Sequence, residues 1–303
     1  MHRNNLGIES QCIWAVPQVE KITHETEKPI SKMKGKLFET YDDVVKGTYH
    51  DYDKPCAKVN KNYRSSLRKS TAIQEANDGK FKVPTEYDIR NINGLNFATI
   101  NRNQHIPSYC GSCWAHGTTS ALSDRFMLQK GGAFPEIDLS PQQIVNCVKG
   151  NGSKGCSGGD PTAVYSWILK HGVVDETCQN YLAKDHECNA VGTCVNCQRG
   201  KGCFAMPENS YKKYEISSHG TVNGEAAMMA EIAKNGPIGC GLCVTPDFES
   251  YSGGIFVDKT GCKEQDHEIS ITGFGVADDG TKYWIGRYRR IHFTSNSSFS
   301  LLL

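Results

Sequence analysis

An α+β fold in two lobes of different type is predicted by three features of the sequence. Segments with helical periodicity crowd the middle of the chain, and strand-like runs dominate after Pro237. Nine of the 14 cysteines fall between Cys110 and Cys203, in stretches too polar to hold together without disulfides. At 303 residues the chain can bury a sizeable core. Apolar content of 38%, charged content of 22% and a net charge of +1 argue against disorder, a nucleic-acid footprint or an acidic partner.

Residues 1–82 carry 15 basic and 11 acidic side chains with little apolar periodicity, so they are expected to be an N-terminal extension or pro-segment that packs weakly. No run approaches the roughly 18 apolar residues needed for a membrane span. The cysteine density predicts disulfides formed in an oxidising compartment, although the first residues show no apolar core of a signal peptide.

From Val83 the texture changes. "CWAHGTTSALSDRFMLQ" places Trp114, Thr118, Ala121, Leu122 and Phe126 on one face, with Ser112 as N-cap, Cys113 in the first turn and Gly131-Gly132 as the stop. "LSPQQIVNC", "PTAVYSWILKHG" and "EAAMMAEIAKNGP" read as further helices, the last two ended by Gly172 and Gly236. "PIGCGLCV", "GGIFVD", "HEISITGFGV" and "KYWIGR" read as strands. The polar stretch from Thr177 to Lys201 must be held by cysteines.

The pair in "YCGSCWAH" admits three readings. A redox pair would follow a buried strand, whereas "NRNQHIPSY" is polar. A zinc site would need "CVNC", far along the chain, as the second half. The favoured reading is a nucleophile at a helix start, ionised by the helix dipole and a histidine. Ten histidines are available, and His267, at the head of an alternating run, is the candidate partner.

"CGSCW" with a histidine about 150 residues on resembles the signature of the papain-like cysteine peptidases. "NRNQHIPSYCGSCWAH", "DETCQNYLAKDHEC", "MMAEIAKNGPI" and "DGTKYWI" are similar, in order, to its cathepsin X (cathepsin Z) branch, over about Val83 to Ile285. The resemblance implies a papain-like fold, with a mainly helical lobe at 83–205 and a barrel-like β lobe at 206–303. It implies a carboxypeptidase in which Cys113 and His267 form a thiolate–imidazolium pair and Gln104 holds the oxyanion.

The three residues after Gln104, "HIP", match the insertion of that branch, which projects His105 toward a substrate's terminal carboxylate. Gly158 and Gly159 in "CSGGD" match the segment along which substrate backbone lies. The family pattern implies disulfides joining Cys110 to Cys156, Cys147 to Cys188, Cys178 to Cys194 and Cys197 to Cys203. It also implies that Cys56 bonds Cys113 in a zymogen. No metal or organic cofactor is expected. The expected partners are peptide C-termini and the chain's own pro-segment, in a monomer that is lysosomal or secreted, with glycan acceptors at Asn151 and Asn296.

After Arg287 the chain departs from the family. Tyr288 stands where an asparagine should orient the imidazole, and residues 288–303 form a tail without the family's last strands or its late cysteine. This leaves Cys240, Cys243 and Cys262 without assigned partners. A truncated second lobe with exposed strand edges is therefore expected, along with weak activity. The alternative is an inactive homologue that only binds.

Overall fold

A computed structural model of the chain describes residues 12–18, 55–58, 67–287 and 298–302. The N-terminal extension supplies β1 (Cys12–Gln18) and α1 (Ala72–Asn77). The middle supplies β2 (Tyr87–Asp88), α2 (Cys113–Gln129), α3 (Pro141–Cys147), the pair β3 (Lys149–Gly150) and β4 (Ser153–Lys154), and α4 (Pro161–His171). Next come α5 (Ala190–Thr193) and the hairpin β5 (Val195–Gln198) and β6 (Gly202–Ala205). The remainder is β7 (Glu215–Val222), α6 (Glu225–Asn235), β8 (Ile238–Leu242), α7 (Pro246–Glu249), β9 (Ile255–Phe256), β10 (His267–Val276), β11 (Lys282–Arg287) and β12 (Ser298–Leu302).

Local chemistry sets most helix ends. The Ser140 hydroxyl accepts from the Gln143 N–H and Pro141 begins α3, while Asp160 accepts from Thr162 and Pro161 begins α4. Gly172 and Gly236 end α4 and α6 at φ 67° and 102°, a conformation costly for residues with a Cβ. The start of α2 differs from expectation. Ser112 precedes the helix but makes no capping bond, because its hydroxyl lies 3.2 Å from His116 Nδ1 and 2.6 Å from the Tyr181 hydroxyl.

Helix α2 is also less one-sided than its periodicity suggests. Trp114, Thr118, Ala121, Leu122 and Phe126 are buried, and so are Ser123, Asp124 and Arg125. The helix runs through the centre, with α3 and α4 on one side and β1, β8 and β10 on the other. Its buried charges are paired: Arg125 with Glu231 at 2.8 Å, and Asp124 with Arg287 at 3.2 Å. One apolar cluster gathers Trp114, Leu122, Phe126, Ile144 and Val164, and another Trp14, Ile238, Ile269, Phe274 and Trp284.

The large sheet has the order β7-β1-β8-β10-β11-β12-β9, with β2 added against β10. Two expectations change here. Cys12–Gln18, assigned above to the weakly packing extension, is a strand inside the sheet, antiparallel to both β7 and β8. The edge of β11 is covered: Tyr283–Arg287 pairs antiparallel with Ser298–Leu302, which pairs parallel with β9 through Ser300 and Leu301. Both segments satisfy backbone donors and acceptors that the interrupted lobe would otherwise leave open.

The disulfides are Cys110–Cys156, Cys147–Cys188, Cys178–Cys194, Cys197–Cys203, Cys56–Cys113, Cys12–Cys240 and Cys243–Cys262. The last two supply partners for the three cysteines that the sequence left unassigned. Cys240 is reached from the N-terminal side, by a residue 228 positions away. No cysteine is free.

Candidate active site

The site forms where the start of α2 meets the start of β10. Cys113 opens α2, and His267 opens β10, where the backbone ladder to Leu242 of β8 fixes its position. Both are buried. Close approach of the two elements depends on Gly117, because a Cβ there would come within 2.9 Å of Glu268 Cγ. A cavity of about 30 Å³ between them is lined by Arg102, Gln104, His116, Glu268 and Arg287.

Cys113 is bonded to Cys56, and His267 Nδ1 lies 3.2 Å from the Cys56 sulfur. The two sulfurs and a ring nitrogen of His267 all lie within 4.8 Å of one another. Two thiolates and an imidazole are a ligand set for zinc, but with the sulfurs bonded to each other neither is a thiolate. Backbone bonds hold the Cys56 segment along the cleft. Gly159 N–H donates to the Cys56 carbonyl at 3.0 Å and Lys58 N–H to the Gly159 carbonyl at 2.7 Å. Ala57 N–H donates to the Asp266 carbonyl at 3.0 Å. Glycine at 159 also admits the Trp114 ring, which would lie 2.4 Å from a Cβ there, and Gly158 takes φ 95° beside the Pro55 carbonyl.

Gln104 is buried, and its Nε2 donates to the Cys110 carbonyl at 3.1 Å. The Tyr181 hydroxyl donates to the Gln104 carbonyl at 2.7 Å while meeting Ser112 Oγ at 2.6 Å, so one side chain links the Gln104 loop to the start of α2. His116, one turn after Cys113, meets the Tyr181 ring edge-on at 4.6 Å. Burial pushes its imidazole down to about 3. His105 stacks on Tyr109 with ring centres 4.5 Å apart.

The sequence reading missed Tyr181 and His116 as supports of this region. A position three residues after Cys113 places His116 beside it on the helix, a signal that was there to use. Tyr181 carries no local signal, since its loop is brought in by disulfides. Tyr288 and Asn296 lie outside the described residues. Among the described residues no helix is long and apolar enough to cross a membrane.

Comparison with known proteins extends this picture. The chain is 45% identical over 206 residues to "Cathepsin Z" of Onchocerca volvulus, covering 68% of this chain and 65% of that protein. It is 30% identical over 183 residues to "Cathepsin B-like protease 1" of Arabidopsis thaliana, covering 58% of this chain and 47% of that protein. The chain thus spans less than two thirds of either relative. Among solved structures, digestive procathepsin L2 from Tenebrio molitor larval midgut superposes with a TM-score of 0.67 at 21% identity, covering 82% of this chain and 72% of that one, a likeness of fold. Residues 83–289 match the family described as papain family cysteine protease, and with the two-lobe fold in place around Cys113 and His267 the chain belongs to that family.

Proposed function

We propose that the chain is the zymogen of a cysteine carboxypeptidase that removes the last residue of a peptide. The observation that carries this reading is the Cys56–Cys113 bond with His267 Nδ1 3.2 Å from the Cys56 sulfur, which supports a nucleophile and a base held together and blocked. A thiol reductant opens the bond, giving two electrons and two protons to yield two thiols, and itself ends as a disulfide. His267 then takes the Cys113 proton, and the thiolate attacks the carbonyl carbon of the last peptide bond. Gln104 Nε2 and the Cys113 backbone N–H hold the oxyanion. His267 returns the proton to the departing amine, and water frees the acyl-enzyme.

Exopeptidase action follows from His105, whose protonated ring pairs with the substrate's terminal carboxylate, while Gly158 and Gly159 accept its backbone. The pairing of Gly159 with the Cys56 segment supports this, because it is the kind of two-way backbone contact a bound peptide makes. The 45% identity to a cathepsin Z supports the same specificity. The papain-like peptidase domain begins near Val83, the blocking pro-segment around Cys56 lies within the extension of residues 1–82, and the setting is lysosomal or secreted. The test is release of the C-terminal residue from a peptide acid by the thiol-treated, processed protein. An amidated twin should resist, and cleavage of internal bonds at equal rates in both peptides overturns the reading.

A further inference from the structure

The N-terminal extension plays two opposed parts. Pro55–Lys58 lies across the cleft, while Cys12–Gln18 is a structural strand between β7 and β8. Cys12, Ile13, Trp14 and Ala15 are all buried. Trp14 Nε1 donates to the Thr221 carbonyl at 3.1 Å, and Ile13 and Trp14 fall in different apolar clusters, so the strand joins both cores. Arg125, on the helix that carries Cys113, donates to the Ala15 carbonyl at 2.9 Å. Cys12 is bonded to Cys240.

Resting on the zymogen reading above, we propose that maturation excises the Cys56 segment and keeps β1, so that the mature enzyme is two-chain. Opening the cleft requires Cys56 to leave. Losing the whole extension would strip from the sheet a strand paired on both sides and uncover both cores. One cut between residues 18 and 55 and another after residue 58 meet both demands. The product is a short peptide containing Cys12–Gln18, tied by Cys12–Cys240 to a body that carries Cys113 and His267. The tether matters because a seven-residue strand held at an effective concentration on the order of millimolar stays paired where a free peptide would dilute away. Excision of the Cys56 segment with Cys12–Gln18 retained distinguishes this maturation from simple removal of everything before the peptidase domain.

Full-length protein is digested at acid pH with pepsin in the absence of thiol. The folded product is weighed intact by mass spectrometry before and after full reduction in denaturant. A variant with a sequence-specific protease site in each of the two intervals (19–54 and 59–66) ensures both cuts where pepsin spares one. The expected result is one equivalent of a Cys12-containing peptide, released only by reduction in denaturant. A folded product that lacks Cys12 overturns the proposal, as does a Cys12 peptide that leaves without reduction. Brief treatment with thiol under native conditions, then an epoxide probe, separates the two readings. A retained Cys12 peptide with Cys113 unlabelled keeps this inference and removes the peptidase reading, while label on Cys113 in a product without Cys12 does the reverse.

Discussion

His267 holds its Nδ1 3.2 Å from the sulfur of Cys56, the atom bonded to Cys113. The imidazole faces both sulfurs of that disulfide. In Cys56→Ser full-length protein, Cys113 should therefore be alkylated without any reductant, whereas the parent chain is alkylated there only after thiol treatment. Peptide mapping by mass spectrometry reads both, and equal labelling of the two proteins removes Cys56 as the block.

Loss of the base should be visible in rate. In processed enzyme, His267→Ala is expected to lower kcat/KM by about 10² to 10⁴, because proton transfer to and from the reacting groups is lost. Its Cys113 should also alkylate more slowly at acid pH. A variant with the parent's rate would take His267 out of the mechanism.

Gln104 gives a different signature. Its Nε2 is close enough to Cys110 to be held by that carbonyl, and Gln104→Ala should lower kcat by about 10² to 10³. Alkylation of Cys113, which develops no oxyanion, should be unchanged. A parallel fall in both would mean that the substitution disturbs the helix start instead.

The pairing of Arg125 with Glu231 predicts a large stability effect. Arg125 also donates to the carbonyls of Ala15, Pro237 and Gly236, at 2.9, 2.6 and 2.9 Å. Arg125→Met leaves a buried carboxylate and three carbonyls without their donor, and should cost about 3–5 kcal/mol or prevent folding. Urea unfolding of the full chain measures it, with a loss under about 1 kcal/mol as the contrary result.

His116 predicts an acid-sensitive component of stability. Burial holds its imidazole down at about 3 against an ordinary 6.5, with the charges of Arg102 and His105 acting in the same direction and the bond to the Ser112 carbonyl opposing them. Below pH 6.5 the unfolded chain takes up a proton that the folded chain refuses until about pH 3. This contribution is therefore complete above 6.5 and is lost as pH falls through that window. His116→Gln should flatten the slope of stability against pH there, and an unchanged slope in urea titrations would falsify the assignment.

Much of the fold was legible in the chain because its signals are local. Ser140-Pro141, Asp160-Pro161, Gly172 and Gly236 bound their helices through capping chemistry that acts within a few residues. The alternation in "HEISITGFGV" matches β10 from end to end. Spacing alone put Cys113 at the start of α2, and the resemblance to papain-like peptidases brought His267 forward.

Tertiary structure decided the rest. Nothing within seven residues of "CIWAVPQ" says that it pairs with Glu215–Val222, because that ladder depends on an open place between β7 and β8 made by distant parts of the chain. The same holds for Cys12 and Cys240, for Tyr181 reaching Gln104, and for the tail strand that covers β11. By itself the sequence determined where the middle helices begin and end, since those signals are written in neighbouring residues, and through its family resemblance it singled out the side chains proposed to react. Which segments complete the sheet was settled only by folding, because burial and backbone pairing are satisfied between residues far apart in the chain.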